Sequence, residues 1–409
     1  MKTALFIGFV WPEPKTTAAG HRMLQLLTSF KKKGFDIIFA CTAQETNYSE
    51  DLSKLDITRT TIKLNDSSFD EFIKKLKLNI VVFDRFMVEE QFGWRVVESV
   101  PNALRILNTE DLHSLRNTRE VCHKKGEEFT TEKWMENDMA KREIASIYRS
   151  DLTLLISPTE TELLKTVFHI PEDLLFTLPF MVEAAANEKK QELPSFEERK
   201  DFLFIGNGKH APNLDAIKYL KTSIWPLIRQ ELPQSNLNIY GAYLPQQVTE
   251  MNKPSEGFNV HGWAEDLDET MQQAKVNLAP LRFGAGLKGK VIDGMRNGTP
   301  TITTAIGAEG IPNYTDYYDK PTDFAQKAIE TYCNKEAWLL VQKSGFNTIK
   351  NHFSEEQLIP ILFHEIDLVS QQLEAHRSKN FFGALLMHQT MASTKYMSKW
   401  IEEKNRKTL

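Results

Sequence analysis

Short apolar runs alternate with longer helical patterns along most of the chain. In the first half, the apolar runs predict strands at 4–10, 36–42, 79–84, 104–109 and 152–157. A stretch of mixed charges predicts one long surface helix over roughly 118–149. Alternation of this kind is typical of parallel sheets with helices on both faces, so the first half predicts a doubly wound α/β domain.

The pattern stops at 182–201, which is polar, charged and without periodicity, as a linker is. After it, the predicted strands are 202–206, 237–241, 258–262, 276–281 and 301–305, and the tail from about 355 is helical. We therefore predict an α/β protein of two Rossmann-like, doubly wound parallel-sheet domains. Their predicted bounds are 1–182 for the first domain, 183–200 for the linker and 201–359 for the second domain, with helices from about 360–409 packing back onto the first.

Length and charge agree with two domains and limit the partners. The 409 residues are too many for one typical core, and 41% hydrophobic with 26% charged residues is a globular composition. The net charge of −5, from 50 basic and 55 acidic residues, gives no general attraction to nucleic acid or to acidic membranes. We expect no nucleic-acid partner, and any anion site must be local.

Cysteine usage and hydropathy bear on the compartment. Three cysteines far apart, Cys41, Cys122 and Cys333, exclude a disulfide framework and fit a reducing cytosol. The N-terminal apolar run is about seven residues long and is read as a buried strand, and no run approaches the roughly 20 residues of a membrane span. We expect a cytoplasmic protein without a transmembrane segment. The apolar stretch "NFFGALLMHQTM" leaves peripheral membrane contact open, and the oligomeric state is not predicted.

The stretch "PLRFGAGLKGKVIDGMRNG" at 280–298 carries the candidate chemistry. Its glycines let the backbone turn sharply, and it precedes a helix whose N-terminus favours anions. Lys288, Lys290 and Arg282 add charge there. Two interpretations compete, a tight loop with solvated lysines and a cradle for a diphosphate. The stretch is not a P-loop, because it lacks GxxxxGK[ST]. The histidines show no metal-binding spacing, so we expect no metal and no cofactor.

The longer segment "PLRFGAGLKGKVIDGMRNGTPTITTAIGAEGI" resembles the donor-binding segment of retaining nucleotide-sugar glycosyltransferases of the GT-B architecture, glycosyl transferases group 1. Other pieces of the chain resemble the same family in the correct order, including "FLFIGNGKHAPNLDAIKYL", "VHGWAEDLDETMQQAKVNLAPL", "WPEPKTTAAGHRMLQLL", "NTEDLHSLR" and "LISPTETELLK". Together they span most of residues 5–311. The resemblance implies two domains that face a cleft.

The resemblance assigns roles in the second domain. It places Asp293 where the family binds the ribose hydroxyls, and it places Ala285 where the family has its first donor-loop acid. We read this chain as a variant that lacks that glutamate, with the backbone of Ala285, Gly286 and Leu287 facing the sugar. Asn207 replaces an arginine that binds the diphosphate, a role that we assign to Lys288 with Lys290 or Arg282. The predicted donor-binding residues are Gly206, Asn207, Gly262, Trp263, Arg282, Gly284, Ala285, Gly286, Leu287, Lys288, Lys290 and Asp293.

In the first domain, the resemblance points His113 at the donor sugar and phosphate. His113 and Lys288 are the predicted catalytic residues. On the acceptor side we predict Asp111, Arg116 and Gly20, the last because a glycine at a helix start lets the backbone approach a ligand. For each of these residues, a purely structural role is the competing interpretation.

The predicted activity is transfer of a glycosyl unit, with retention, from a UDP- or GDP-linked sugar to the hydroxyl of a sugar, glycan or glycoconjugate. It would serve glycan, polysaccharide or glycoconjugate synthesis. One alternative is a nucleotide-sugar epimerase of similar architecture. Another is a catalytically silent accessory subunit that binds nucleotide sugar, which the loss of the glutamate at position 285 makes conceivable. Fold likeness by itself does not separate these functions.

Overall fold

The computed structural model describes residues 2–183 and 193–406. The chain divides into two compact units. The first unit comprises Met1–Ser114, Thr130–Leu178 and Ile359–Leu409, and the second comprises Leu115–Phe129 and Pro179–Leu358. Of the predicted linker 183–200, residues 184–192 lie outside the described part of the chain.

The first unit is built on a seven-stranded parallel sheet. Its strands are β1 (Lys2–Gly8), β2 (Phe35–Cys41), β3 (Thr58–Thr61), β4 (Leu78–Asp84), β5 (Leu104–Asn108), β6 (Leu152–Leu155) and β7 (Leu175–Thr177). Their order in the sheet is β3-β2-β1-β4-β5-β6-β7. In the central register, Phe6 of β1 lies opposite Phe39 of β2 on one side and Val82 of β4 on the other. The central strands are buried on both faces, as their continuous apolar sequences require.

The helices of this part of the chain are α1 (Ala18–Lys32), α2 (Ser68–Lys74), α3 (Phe86–Ser99), α4 (His113–Lys125), α5 (Thr131–Glu136), α6 (Asp138–Arg149) and α7 (Pro158–Val167). The predicted single helix over 118–149 was wrong. Gly126, at φ +67°, ends α4 in the left-handed region, and Asn137 caps α6 by accepting from the Met139 amide. This stretch is also not confined to the surface, because Trp134 and Glu143 are buried.

The second unit carries a five-stranded parallel sheet in the order β10-β9-β8-β11-β12. The strands are β8 (Lys200–Ile205), β9 (Leu237–Tyr240), β10 (Phe258–Gly262), β11 (Ala274–Ala279) and β12 (Thr301–Thr303). The helices are α8 (Ala211–Tyr219), continued by a π-helical turn at Leu220–Ile224, then α9 (Trp225–Glu231), α10 (Gln246–Thr249), α11 (Leu267–Gln273), α12 (Gly289–Arg296), α13 (Ala305–Ala308), α14 (Pro321–Cys333) and α15 (Lys335–His352). Phe202, Phe204 and Val276 lie in a core with no solvent exposure.

Three helices follow the second sheet: α16 (Glu355–Gln371), α17 (Leu373–Lys379) and α18 (Phe381–Arg406). From Ile359 onward they belong to the first unit. The Phe363 ring lies 5.0 Å from that of Phe30, and the Arg377 guanidinium donates to both carboxylate oxygens of Asp151 at 2.8 and 2.7 Å. Within the described residues, no helix is both long enough and apolar enough to cross a membrane.

Candidate functional site

The glycine–lysine loop lies between β11 and α12, at the carboxyl edge of the second sheet, where open α/β sheets bind ligands. Gly284 and Gly286, at φ +151° and +65°, adopt conformations that favour glycine. Within the described residues, the amides of Ala285 and Leu287 donate to no protein acceptor although both residues are buried. Lys288 is the N-cap of α12 but gives it no side-chain cap. The loop therefore offers backbone donors to an anion.

Lys290 brings a desolvated cation to the start of α12. Its Nζ donates to Oδ1 of Asn213 at 2.6 Å and lies 4.3 Å from the centre of the Phe204 ring. Burial and the nearby charge of Lys288 together lower the pKa of Lys290 to about 7, and the charge of Asp293 opposes them. No carboxylate lies within ion-pair distance of this ammonium among the described residues. A buried cation of this kind favours an anionic ligand, since it has no counter-ion of its own.

Lys288 lies beside Lys290 and is almost fully buried. Its Nζ donates to the carbonyl oxygen of Gly286, so the ammonium bends back over the loop that precedes α12. This contact places the charge of Lys288 next to the two amides that have no acceptor. The structure thus brings together the two lysines that the sequence singled out.

Arg282 is engaged differently from the two lysines. Its Nε and Nη2 donate to the two carboxylate oxygens of Asp215 at 2.8 and 2.5 Å, and its guanidinium lies 4.5 Å from the Tyr219 ring centre. The hydrogen bonds that Arg282 donates to Asp215 raise the pKa of its guanidinium. A bidentate partner already neutralises this guanidinium, so any help that Arg282 gives to a diphosphate competes with Asp215.

Asp293 lies in α12 and is part of an ion-pair network. Its Oδ1 accepts from Nε of Arg296 at 2.9 Å, and Arg296 also reaches Asp268 of α11 at 2.5 Å. Burial opposes the charge of Arg296, but Asp293 and Asp268 together raise its pKa. The network fixes the rotamer of Asp293 from one side. Binding of ribose hydroxyls by its other oxygen stays a prediction.

The ends of β8 and β10 carry the remaining predicted donor-side residues, Gly206, Asn207, Gly262 and Trp263. Oδ1 of Asn207 accepts from the Lys209 amide at 2.8 Å. The backbone carbonyl of Asn207 accepts from Nδ2 of Asn213 at 2.9 Å. Trp263, which follows Gly262, is 38% exposed. Asn213 therefore connects the end of β8 to Lys290, a role that its place in a "PN" helix start did not reveal.

A segment from the first half of the chain completes this region, because residues 115–129 belong to the second unit. Arg119 of α4 donates to the Gly284 carbonyl at 2.9 Å and forms two hydrogen bonds of 2.7 Å with the carboxylate of Glu309. The His123 ring lies 5.1 Å from that of Phe283, and its Nε2 is 3.5 Å from Asp215. Sequence reasoning missed Arg119 and His123, since neither belongs to a local motif.

Arg116 lies on the same helix and is half-buried, in the part of α4 that belongs to the second unit. The sequence placed it on the acceptor side of the first domain. The other two residues predicted there, Asp111 and Gly20, belong to the first unit.

His113 begins α4 within the first unit. Its amide and that of Ser114 donate to the carboxylate of Glu143 at 2.9 and 3.0 Å, and the Leu112 amide donates to Glu160 at 3.1 Å. Burial raises the pKa of Glu143 to about 7 although these bonds oppose it. The imidazole Nδ1 lies 3.1 Å from the carbonyl oxygen of Asp111. Carboxylates already occupy this helix start, so only the imidazole is left to serve a ligand.

Gly20 lets one backbone segment approach another. A Cβ at this position would lie 2.5 Å from the carbonyl carbon and oxygen of Glu13. The loop between β1 and α1 packs directly on the helix start, and Thr17 caps that helix by accepting from the Gly20 amide. The close approach that the sequence suggested is made by the chain's own loop. A contact with acceptor stays a prediction.

Charged side chains that the sequence did not single out gather at the carboxyl ends of β4 and β5. Asn108 accepts from Nε of Arg22 at 3.2 Å and donates to Glu110 at 2.8 Å, and Asp84 accepts from the Phe9 amide at 3.2 Å. Burial raises the pKa of Glu110 to about 7, with Arg22 opposing it. Glu110, at φ +62°, also lies in the left-handed region. Strain and burial of charge at a sheet edge are typical of functional sites.

The described residues contain no group of three or more His, Cys, Asp or Glu side chains that could hold a metal ion.

Comparisons with known proteins bear on the family and the fold, and the roles of the site residues stay predictions. Residues 199–334 match the family model for glycosyl transferases group 1. The matched region covers the second unit from just before β8 to the end of α14, and so contains the whole loop. The match confirms the predicted similarity to glycosyl transferases group 1 over these residues.

Many solved structures share the fold, and two serve as examples. HepE of Anabaena, in complex with UDP and glucose, is 9% identical, with a TM-score of 0.67 over 90% of this chain and 100% of that one. Sucrose-phosphate synthase of Thermosynechococcus elongatus is 15% identical, with a TM-score of 0.65 over 92% of this chain and 100% of that one. The predicted α/β fold with two parallel sheets, of GT-B type, is confirmed.

One curated protein is similar in sequence. It is an uncharacterized 44.6 kDa protein in the cps region of Klebsiella pneumoniae, 25% identical over 174 residues. The alignment covers 40% of this chain and 45% of that protein, so less than half of either sequence is matched.

Proposed function

We propose that this chain is a glycosyltransferase that moves a sugar from a nucleoside diphosphate sugar, UDP- or GDP-linked, to an acceptor hydroxyl. Two observations carry the proposal: the desolvated Lys290 ammonium at the start of α12, and the two buried amides of the preceding loop that have no protein acceptor among the described residues. The family match over 199–334 and the UDP in the HepE complex support a nucleotide ligand. The acceptor is a sugar, glycan or glycoconjugate, and the reaction takes place in the cytoplasm.

In the reaction, the bond between the sugar C1 and the diphosphate oxygen breaks while C1 bonds to the acceptor oxygen. The acceptor proton passes to the departing phosphate on the same face, so the anomeric configuration is retained. Negative charge grows on the leaving diphosphate, and fixed donors aimed at that charge lower the barrier. Lys288, Lys290 and the amides of the loop supply these donors without a metal ion.

In this proposal, Asp293 contacts the ribose of the nucleotide and Trp263 contacts its base. The Asp293 carboxylate, oriented by Arg296 at 2.9 Å, accepts from the ribose hydroxyls. The partly exposed Trp263 ring lies beside the base. In the first unit, His113 faces the sugar and phosphate, as the family resemblance implies, and Asp111 serves the acceptor side.

The proposal is tested by titration calorimetry of UDP and GDP, without added metal, on the wild type and on Lys290→Met. Charged hydrogen bonds contribute about 1.5–3 kcal/mol each, so we expect the variant to bind about 10- to 150-fold more weakly. Lys221→Met is the matched control, because that ammonium already pairs with Glu256 at 2.8 Å. Failure of the wild type to bind either nucleotide would refute a nucleotide-sugar site.

Ala285 favours a second candidate, an accessory subunit that binds nucleotide sugar without turning it over. The side chain at this position is a buried methyl group, which holds no sugar hydroxyl. Slow hydrolysis of the bound donor separates the two functions. Release of free sugar from UDP-glucose or GDP-mannose, faster than in the Lys288→Met variant, supports the transferase. Tight binding with no release above the blank supports the accessory subunit.

A further inference from the structure

In an ordinary surface helix the apolar side chains face the protein and the polar ones face solvent. In helix α18, polar side chains make contacts with the rest of the first unit. Oγ of Ser398 accepts from Nη2 of Arg95 at 3.0 Å, and Glu402 accepts from the Ser67 amide at 3.1 Å. Lys395 pairs with Glu98 of α3. The face of α18 that packs on α3 is therefore the charged one.

The opposite face carries large apolar side chains in two clusters. The N-terminal cluster is Phe381, Phe382 and Leu385, which are 70%, 60% and 42% exposed. The C-terminal cluster is Tyr396, Met397 and Trp400, which are 69%, 59% and 61% exposed. Exposed apolar area of this extent marks a surface that another molecule covers, since covering it gains about 25 cal/mol per Å².

A hollow of about 390 Å³ adjoins the N-terminal cluster. Ile144 and Tyr148 of α6, Phe168, and Phe382 and Leu385 of α18 are among its lining side chains, and they are almost entirely apolar at the surface. Its size is in the range of pockets that receive a bulky ligand or an aromatic side chain. The two clusters thus differ in shape: one borders a hollow, and the other presents an indole.

We propose that α18 is a dimerisation helix, which pairs antiparallel with α18 of a second copy of this chain. The N-terminal cluster of one copy packs on the C-terminal cluster of the other, and Trp400 of the partner subunit enters the hollow. The clusters begin about 15 residues apart, or roughly 22 Å along the helix at 1.5 Å per residue. A two-fold axis midway between the clusters places the N-terminal cluster of each copy against the C-terminal cluster of the other. The two copies therefore use the same surface patch.

Area and charge both favour a second copy over a lipid surface. Six large side chains that each offer about 150–250 Å² and are roughly 60% exposed contribute about 600 Å² per copy, near the 800 Å² of a standard interface. Exposed charges along this face have both signs, including Lys399 and Glu403. Antiparallel pairing brings Glu403 of one copy toward Lys379 of the other, whereas an anionic membrane favours basic residues alone.

Sedimentation velocity of the full chain at about 10 µM tests the dimer. We expect a wild-type species of twice 47.1 kDa. Hot-spot aromatics at an interface are worth about 2 kcal/mol or more, so Tyr396→Glu with Trp400→Glu weakens dimerisation at least 30-fold. Leu340→Glu is the control, because Leu340 is 71% exposed on α15, away from the proposed face. A monomeric wild type, or a double variant that stays dimeric, overturns the proposal.

Cysteine cross-linking tests the antiparallel direction in a Cys333→Ser background, which removes the exposed native thiol. Leu385→Cys and Tyr396→Cys lie at equal distances from the proposed axis. We expect a disulfide-linked dimer when the two variants are mixed and none from either variant alone. Self-linking of each variant overturns the antiparallel arrangement. Monomeric protein that instead sediments with anionic lipid vesicles, and no longer does so in the double glutamate variant, replaces the partner by a membrane.

Discussion

At the scale of single residues, two cations of the second unit, the buried Arg199 and the half-buried Lys290, differ in how far protein acceptors satisfy them. The Arg199 guanidinium donates to Oγ1 of Thr299 at 2.7 Å, to the Asn297 carbonyl at 3.0 Å and to the Pro194 carbonyl at 3.0 Å. Protein acceptors therefore satisfy it although burial lowers its pKa to about 10. Lys290 has one amide oxygen, so most of its hydrogen-bonding capacity is left for an anion.

The depressed pKa of Lys290 predicts proton uptake when nucleotide binds. The free protein holds this group near pKa 7, so at pH 8 it is mostly neutral. A bound diphosphate favours the charged form and raises the pKa, and each binding event then draws a proton from solution. Calorimetry of UDP at pH 8, in two buffers of different ionisation enthalpy, measures the number of protons taken up.

We expect this number to approach one in the wild type and to fall toward zero in Lys290→Met. At pH 6, where Lys290 is already protonated, the uptake should also fall. Equal proton counts at both pH values would show that Lys290 does not titrate with binding.

An anion site could be predicted for the candidate donor loop from its local sequence. The residues that its side chains pair with in the fold could not. Glycines next to lysines before a helix indicate an anion site by local chemistry alone. The pairing of Arg282 with Asp215, or of Arg119 with Glu309, joins residues that are 67 and 190 positions apart. Only the folded chain brings such residues together. The assignment of Arg282 to the diphosphate, made without Asp215 in view, could therefore not take that competition into account.

At the scale of elements, α4 holds the loop that contains the candidate donor site. The loop has few backbone hydrogen bonds of its own, and the bond from Arg119 to the Gly284 carbonyl fixes its turn. Glu309, just after α13, orients the same guanidinium from the other side. The conformation that presents the amides of Ala285 and Leu287 thus depends on a helix that is distant in sequence.

Arg119→Met is expected to weaken UDP binding about 10-fold, because the loop then samples conformations that do not present its amides. Glu309→Gln keeps the shape of the partner but removes its charge. The double variant should lose less than the sum of the single losses, with a coupling of about 0.5–3 kcal/mol, because the two side chains act through one contact. Titration calorimetry gives the affinities, and thermal unfolding gives the stabilities.

A purely structural pair would lower the melting temperature and leave the affinity of the remaining folded protein intact. Arg142→Met is the matched control, since Arg142 makes the same bidentate contact with Glu90 in the first unit. We expect the affinity of that variant to equal the wild-type value. Additive losses across the Arg119 and Glu309 variants would count against a shared positioning role.

Element prediction succeeded where burial is two-sided. All ten predicted strands exist, and their bounds differ by at most a few residues from those observed. The two missed strands, β3 and β7, are the edges of the first sheet. β3 reads "TRTT" and is mostly exposed, so it has no apolar run to reveal it. The helix predicted over 118–149 was wrong for a related reason. The overall pattern of charges continues through the stretch, but Gly126 and Asn137 interrupt the helix.

At the scale of the whole molecule, the first unit is assembled from both ends of the chain. The Phe363 ring lies 5.0 Å from Phe30 and 6.2 Å from Phe35, and Lys2 reaches Asp367 from 365 positions away. Arg377 joins the edge of β5 and β6 through Asp151 and through the carbonyls of Pro101 and Ala103. Residues after 358 are therefore part of this unit's core.

Arg377→Ala is expected to destabilise the first unit by about 2 kcal/mol, because it removes charged hydrogen bonds to the buried Asp151 carboxylate, which keeps Arg105 as a partner. The hydrogen bond from Arg377 and the charge of Arg105 overcome burial and lower the pKa of Asp151 to about 2. This stabilisation is present above the unfolded-state pKa and is lost as the pH falls toward 2. Hydrogen exchange of β5 and β6 at pH 7 measures the loss.

The pH dependence provides a second measurement, since the acid sensitivity of unfolding should be smaller in the variant than in the wild type. Arg59→Ala serves as the control, because Arg59 pairs with Glu45 in an exposed bridge and should contribute less than about 1 kcal/mol. Exchange rates in β5 and β6 that do not change would mean that α17 is not needed for this part of the sheet.

The contacts of α16 and α17 also determine when, during synthesis on the ribosome, the first unit can finish folding. A ribosome makes the strands of the first sheet early and completes the whole second sheet before it reaches Phe363. Until then the apolar surface around Phe30 and Phe35 has no cover, for hundreds of residues of elongation at about 5–20 residues per second. The second unit can complete its sheet as soon as it emerges, whereas the unit that is begun first is finished last. A nascent chain stalled before residue 359 should accordingly recruit chaperones through its N-terminal half.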